Sequence, residues 1–235
     1  MIAITFAVPA ESSGLVALLR EEKRLPCGNT RIIHGKIDNK SVALFHTGVG
    51  ETVCWQRMEN LFRDRQFDYL ISAGFAGAIR EDLSVGDLVL AENFSDSQLL
   101  SSAQKILSGR KLHVGELFTS RAIIDSVGER NRIAGQHGAV AADMETETIA
   151  RVCRARGIPL LSLRVISDSS REPFPAPPNV LFDMERQRTD SGKLSLYLLR
   201  HPGAVWSLIR FARQIARARK TLTDAIVDLV GGIQV

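Results

Sequence analysis

The stretch that decides the fold is Leu160-Leu161-Ser162-Leu163-Arg164-Val165-Ile166, closed by Ser167-Asp168. Five of the seven residues from Leu160 to Ile166 are aliphatic, a near-continuous apolar run interrupted by Ser162 and Arg164. Such a run suits a strand buried on both sides, which requires helices above and below the sheet. Reading outward, Met144 to Arg156 has helical spacing and Ala139 to Ala142 is a short strand. Asp68 to Ser72 is a second buried strand, ended by Ala73-Gly74-Phe75-Ala76-Gly77. Ile2 to Val8 and Gly86 to Ala91 are two more. Helices are expected over Gly14 to Glu22, Glu51 to Arg65 and Arg121 to Ala134. Strands alternating with helices specify an α/β fold.

Arg31 to Ile37 and Ser41 to Thr47 flank Asp38-Asn39-Lys40 and read as a hairpin. A hairpin makes the twisted central sheet mixed rather than wholly parallel. The expected architecture is a single three-layer α/β domain over residues 1–235, with a helical extension over about 194–230. The proline-rich segment Arg171 to Pro178 reads as a loop that could cover a site.

Composition narrows the function. Of 235 residues 45% are hydrophobic, enough for a packed core. The net charge is 30 − 26 = +4 and aromatics are 6%, so neither a polyanion-binding surface nor a base-stacking platform is indicated, and no nucleic-acid partner is expected. Cys27, Cys54 and Cys153 are odd in number and scattered. They suit neither a zinc site nor a disulfide scaffold, and fit a reducing cytoplasm. The N-terminal apolar run lacks a basic leader, so a cytoplasmic protein is expected, with no metal and no cofactor.

Acids and glycines gather at the ends of the strands, where open α/β sheets bind ligands. Glu11 follows the first strand and could take a proton from water, although a loop acid near a helix start is also a dipole partner. Ser72-Ala73-Gly74-Phe75-Ala76-Gly77-Ala78 would let a ligand approach the backbone closely, or simply turn. Asp143-Met144-Glu145-Thr146-Glu147 is denser in acids than helix capping requires, and carboxylates can hold sugar hydroxyls. Asp168 closes a buried strand; desolvated, it could donate a proton near neutral pH, or else it makes a turn.

Taken together, Glu11, Gly48-Val49-Gly50, Ser72 to Ala78, Val85-Gly86-Asp87, Asp143-Met144-Glu145 and Arg164 to Asp168 resemble the purine nucleoside phosphorylase/uridine phosphorylase family. Within it they are most similar to 5'-methylthioadenosine/S-adenosylhomocysteine nucleosidases, over roughly Met1 to Asp168. The resemblance implies cleavage of the N-glycosidic bond of a purine nucleoside with a modified 5' position, and a homo-oligomer. Carried over by position, Asp168 protonates purine N7, Glu11 orients the attacking water and Arg164 assists it. Met144 and Glu145 contact the ribose, with Asp143 beside them, and Ala76 and Gly77 lie against the base. Ile123-Ile124 match the family's base-stacking Phe-Ile pair, and Ser167 precedes the acid.

The family's phosphorylases carry Arg where this chain has Ser72 and Ser where it has Phe75. Without that cation and hydroxyl, a phosphate site loses its charge-assisted partners. Arg20 and Arg24 remain near the first loop, but they also suit an exposed helical face. Hydrolysis is therefore expected, with phosphorolysis as the alternative. The nucleosidases also tend to carry Ser at the Phe75 position, which keeps open a nucleoside-binding protein without turnover. From His201 to about Leu229 a helix is expected, with Arg210, Arg213, Arg217 and Lys220 near one face. It reads as a docking helix with a solvated basic side, or as a helix on a membrane surface. With Arg200-His201-Pro202-Gly203, this tail resembles the hopanoid-associated branch of the family, which acts on a lipid-linked nucleoside.

Overall fold

A computed structural model describes residues 1–63, 65–170, 197, 200, 201 and 203–233. The proline-rich segment 171–178 and the first residues of the C-terminal extension lie outside the described residues.

The centre is a ten-stranded mixed sheet in the order β2-β3-β4-β1-β5-β10-β6-β7, with β9 joining β5 to β8. β1 (Ile2–Phe6) lies parallel to β4 (Lys40–His46) and to β5 (Leu70–Ala78), and β10 (Leu160–Asp168) lies parallel to β5. β10 is buried at every residue, as its aliphatic run requires. β3 (Thr30–Ile37) and β4 form the expected hairpin; Asp38 and Asn39 adopt positive φ at its turn. β6 (Leu88–Ala91) runs antiparallel to β10 and carries β7 (Leu112–Gly115) on its outer side. β8 (Leu117–Thr119) and β9 (Ala141–Asp143) complete the sheet beside the end of β5.

Side-chain alternation along the strands divides the core into two layers. Ile2, Ile4 and Phe6 of β1 pack with Leu15 of α1 (Pro9–Val16), Leu99 of α3 (Ser97–Ile106) and Leu222, Ile226 and Leu229 of α6 (Ala204–Gly232). Ala3, between them in sequence, faces the other way, toward Met58 and Leu61 of α2 (Glu51–Phe62) and Ile149 of α5 (Thr146–Ala155). α4 (Val127–His137) closes one end through Ile133. No described helix is long and apolar enough to cross a membrane.

Several boundaries differ from expectation. The first helix starts at Pro9, whose fixed φ suits a first helical position, and stops at Val16. Arg20–Cys27, expected to begin as the end of that helix, is the edge strand β2, exposed at every residue except Cys27. Arg20 and Arg24 therefore lie on a strand, and Arg24 pairs with Glu22 at 2.6 Å. β5 does not end at Ser72 but continues through the small residues to Ala78. α4 begins at Val127, not Arg121, with the Ser126 hydroxyl capping Glu129 N–H. Met144 and Glu145 precede α5 rather than opening it.

Candidate active site

The site begins with two glycines on β5. A Cβ on Gly74 would lie 3.0 Å from Glu11 Oε1, and a Cβ on Gly77 would lie 3.0 Å from Asp168 Oδ2. The small residues thus make room for two carboxyl groups, where the sequence pointed to a ligand's approach. Glu11 sits in the first turn of α1 and reaches back to its start. Its Oε2 accepts the Ala7 and Val8 N–H groups at 2.9 and 3.1 Å, and its Oε1 accepts Phe75 N–H at 2.8 Å. Burial raises its pKa above the ordinary carboxyl value; those N–H groups and the Arg164 charge act in the opposite direction.

Asp168 is placed by an irregularity in β10. Ile166 pairs with Ala76 and Asp168 with Gly77, so Ser167 is an extra residue without a partner on β5. That bulge aims Asp168 across Gly77. Its Oδ1 accepts the Ser167 hydroxyl at 2.6 Å, and its Oδ2 accepts Arg130 Nη2 at 2.5 Å. Burial raises the Asp168 pKa, opposed by the Arg130 charge and both hydrogen bonds.

Glu145 accepts Gly50 N–H at 3.1 Å. Burial, with the neighbouring Asp143 charge second, pushes its pKa up to about 8, so the neutral acid prevails at lower pH. Asp143 is occupied by the protein itself. It accepts from Thr119 Oγ1 at 3.0 Å, from Thr146 N–H and Oγ1, and from Arg164 Nη2 at 2.9 Å. Arg164 also donates to Ser72 O at 2.7 Å, Ser72 Oγ at 3.0 Å and Thr146 Oγ1. It clamps β5, β9 and the start of α5 together. Glu147 is exposed.

These groups surround one cavity of about 230 Å³. That volume suits a small molecule rather than a polymer. Glu11, Asp143, Glu145, Ser167 and Asp168 supply its polar wall. Phe75, Ala76, Gly77, Ile123, Ile124 and Met144 supply much of the apolar wall. Of the residues singled out in the sequence, Arg164 stands apart: it lines a second, much smaller cavity of about 10 Å³, together with Glu11, Glu145, Thr5, Thr47 and Ser72. Thr5 Oγ1 is buried there with no hydrogen-bond partner. The space matches a single water. Arg130 lines the main cavity and went unnoticed, because in Glu129-Arg130-Asn131-Arg132 it reads as one more solvated helical cation. Val49 belongs to the quoted Gly48-Val49-Gly50, whereas Ile79 and Ser120, which directly follow β5 and β8, were also missed. Among the described residues, no group of His, Cys, Asp and Glu is arranged to hold a metal ion.

Comparison with known proteins identifies the family and the fold. The Phosphorylase superfamily model matches residues 1–106 and 94–201. A 5'-methylthioadenosine/S-adenosylhomocysteine nucleosidase of Actinobacillus succinogenes is 26% identical over 196 residues, spanning 72% of this chain and 85% of that protein. The fold matches the S. pneumoniae nucleosidase solved with a transition-state inhibitor, with a TM-score of 0.77 at 21% identity over 99% of both chains. It also matches the futalosine hydrolase of Helicobacter pylori, with a TM-score of 0.76 at 16% identity over 99% of this chain and 97% of that one.

Proposed function

The chain belongs to the Phosphorylase superfamily, and on that premise we propose that it hydrolyses the N-glycosidic bond of a purine nucleoside carrying a modified 5' position. The observation that carries this reading is the pair of buried carboxyl groups, Glu11 and Asp168, facing one nucleoside-sized cavity with different donor sets.

Asp168 acts as the acid. Its proton passes to N7 of the base as the bond from the sugar carbon to the base nitrogen breaks. The bonding electrons leave with the base, which departs neutral, and the sugar becomes an oxocarbenium ion. Water adds to that carbon and its proton passes to Glu11. Three backbone N–H groups favour the ionised form of Glu11, the form able to accept it. Proton exchange with solvent then restores both groups. Glu145 and Met144 hold the sugar. Phe75, Ala76, Ile123 and Ile124 form an apolar wall for the base. Arg164 acts from behind, keeping Asp143 and Thr146 in place and lending its charge to Glu11.

Water is favoured over phosphate as nucleophile. The small second cavity, between Glu11, Ser72 and Arg164, has room for a water but not for a tetrahedral anion, and Ser72 Oγ already accepts Arg164. Arg24, the nearest loop cation in the sequence reading, is tied to Glu22. A panel of 5'-substituted purine nucleosides, assayed for released base with and without phosphate, tests the reading. Free ribosyl product at a phosphate-independent rate supports it. Ribose 1-phosphate would establish phosphorolysis, and tight binding without base release would establish a binding protein.

The first half of α6 supports a further part of the reading. Residues 204–217 contain no buried side chain, whereas Leu222, Ala225, Ile226 and Leu229 are buried. Val205, Trp206 and Ile209 are exposed, Trp206 at 78%, near the exposed Arg210, Arg213 and Arg217. Apolar anchors beside cations suit an anionic membrane surface, where a lipid-linked nucleoside would be met. Flotation with anionic liposomes tests this: Trp206→Ala with Arg213→Glu should abolish it, and equal flotation of both proteins removes the idea. The resemblance supports a homo-oligomer, and the scattered free cysteines support a reducing cytoplasm; a monomer in sedimentation equilibrium would exclude the assembly.

A further inference from the structure

Among the described residues, Arg130 is the one cation bonded directly to the acid that the hydrolytic reading depends on. Its side chain is 2% exposed. Its five N–H groups make five hydrogen bonds: Nε to Ile124 O at 3.3 Å, Nη1 to Ala78 O at 2.8 Å and Ser169 O at 3.2 Å, Nη2 to Ile124 O at 2.9 Å and Asp168 Oδ2 at 2.5 Å. Four of those five contacts go to three backbone carbonyls, which do not change when Asp168 gains or loses a proton. The guanidinium is therefore held in place by the fold, and Asp168 is held by the guanidinium. Gly77 is part of the same device. A Cβ there would lie 3.0 Å from both Arg130 Nη1 and Asp168 Oδ2.

We propose that Arg130 is a positioning residue for the leaving-base step: it pins Oδ2 of Asp168 and leaves Oδ1 as the oxygen that carries the proton to the base. The second oxygen fits that duty. Ser167 Oγ lies 2.6 Å from Oδ1 and 3.3 Å from Ala76 O. Its single O–H can serve only one acceptor at a time. It donates to Oδ1 while Asp168 is ionised, and can turn to Ala76 O once Oδ1 is protonated. Oδ2 has no such freedom, because its neighbour is a cation that can only donate.

The inference rests on Asp168 being the acid, and it adds a consequence for pH. A fixed cation beside a carboxyl group favours the ionised form, so Arg130 holds down an acid that burial would otherwise raise further. Asp168 must be protonated to act, so Arg130 lowers the pH at which activity is lost. The remaining charged groups around the cavity are Glu11 from α1, Asp143 from β9, Glu145 ahead of α5, and Arg164 from β10. Arg164 is paired with Asp143, and no hydrogen bond or ion pair joins any of the four to Asp168.

The test is the pH profile of kcat/KM for Arg130→Met, Arg130→Lys, Gly77→Ala and Asp168→Asn, each checked for folding by circular dichroism. Arg130→Met should move the upper limb of the profile up by about one pH unit or more, the shift expected when a charge next to a carboxyl group is removed. Arg130→Lys keeps the charge and loses the fork. It should hold the limb near the wild-type position while kcat falls about tenfold or more, the scale of a lost orienting contact. Gly77→Ala pushes the pair apart with both charges retained, and should move the limb in the direction of Arg130→Met. If Arg130→Met does not fold, Gly77→Ala and Arg130→Lys decide. An unmoved limb in whichever of Arg130→Met and Gly77→Ala folds, or an unchanged kcat in Arg130→Lys, with Asp168→Asn inactive, overturns the role of Arg130 and leaves the acid in place. Wild-type turnover by Asp168→Asn would instead overturn the reading beneath it.

Discussion

Glu11 and Asp168 occupy opposite sides of one glycine-containing strand, both buried and both pushed toward the neutral acid by burial. They differ in what opposes that push. Glu11 is met by three backbone N–H groups, which are neutral dipoles locked into α1 and β5. Asp168 is met by one guanidinium and one hydroxyl that can turn. Backbone donors hold a carboxylate ready to accept a proton. A fixed cation on one oxygen and a rotor on the other leave a carboxyl group ready to give one. The pair shows how one residue class takes two duties when its donors differ.

The largest effect expected from breaking this comparison is at Asp168. Asp168→Asn should lower kcat by about a thousandfold while melting close to wild type, because the amide keeps the shape and loses the proton. Base release near the wild-type rate would show that the acid lies elsewhere. Glu11→Gln should lower hydrolysis by about a hundredfold with binding retained, since water loses its base. Isothermal titration with a non-hydrolysable nucleoside separates the two; loss of binding alone would make Glu11 a structural group.

Glu145 sharpens the contrast through stability. Its pKa rises from 4.5 to about 8 on folding of the empty enzyme, so the folded state binds a proton that the unfolded state has released between those values. Stability contributed by the neutral acid is present at low pH and is lost as pH rises through that window. Thermal melts from pH 5 to 8 should fall less steeply for Glu145→Gln than for wild type. Parallel slopes would mean that Glu145 is ionised throughout. The smallest effect belongs to the two halves of α6. Ile226→Ala should cost about 2–5 kcal/mol and Ile209→Ala less than about 0.5 kcal/mol, because one is buried in the core and the other is exposed. Equal losses in urea denaturation would show that the first half is packed in solution.

Much of this was legible in the residues. The near-continuous apolar runs of β1 and β10 announce a covered sheet, and the hairpin turn at Asp38-Asn39 announces its mixed character. Glu11, Asp143, Glu145 and Asp168, with the small residues Ala76 and Gly77, were visible at strand ends, whereas Met144, Ile123 and Ile124 came from the resemblance alone. β2 was not legible, because Arg20-Glu21-Glu22-Lys23-Arg24 at an exposed edge has neither alternation nor an apolar face to betray a strand. The extension of β5 through Gly74 and Gly77 was hidden for the opposite reason: glycine signals a turn, and here it makes room for side chains from elsewhere. Arg130 was invisible because its acceptors come from β5, β10 and the residues ahead of α4, brought together only by the fold.

The most direct measurement follows oxygen. With the preferred nucleoside turned over in ¹⁸O-labelled water containing phosphate, the predicted product is free sugar bearing the label at the carbon that held the base. Unlabelled sugar phosphate in its place would contradict a mechanism in which Glu11 activates water and Asp168 releases the base.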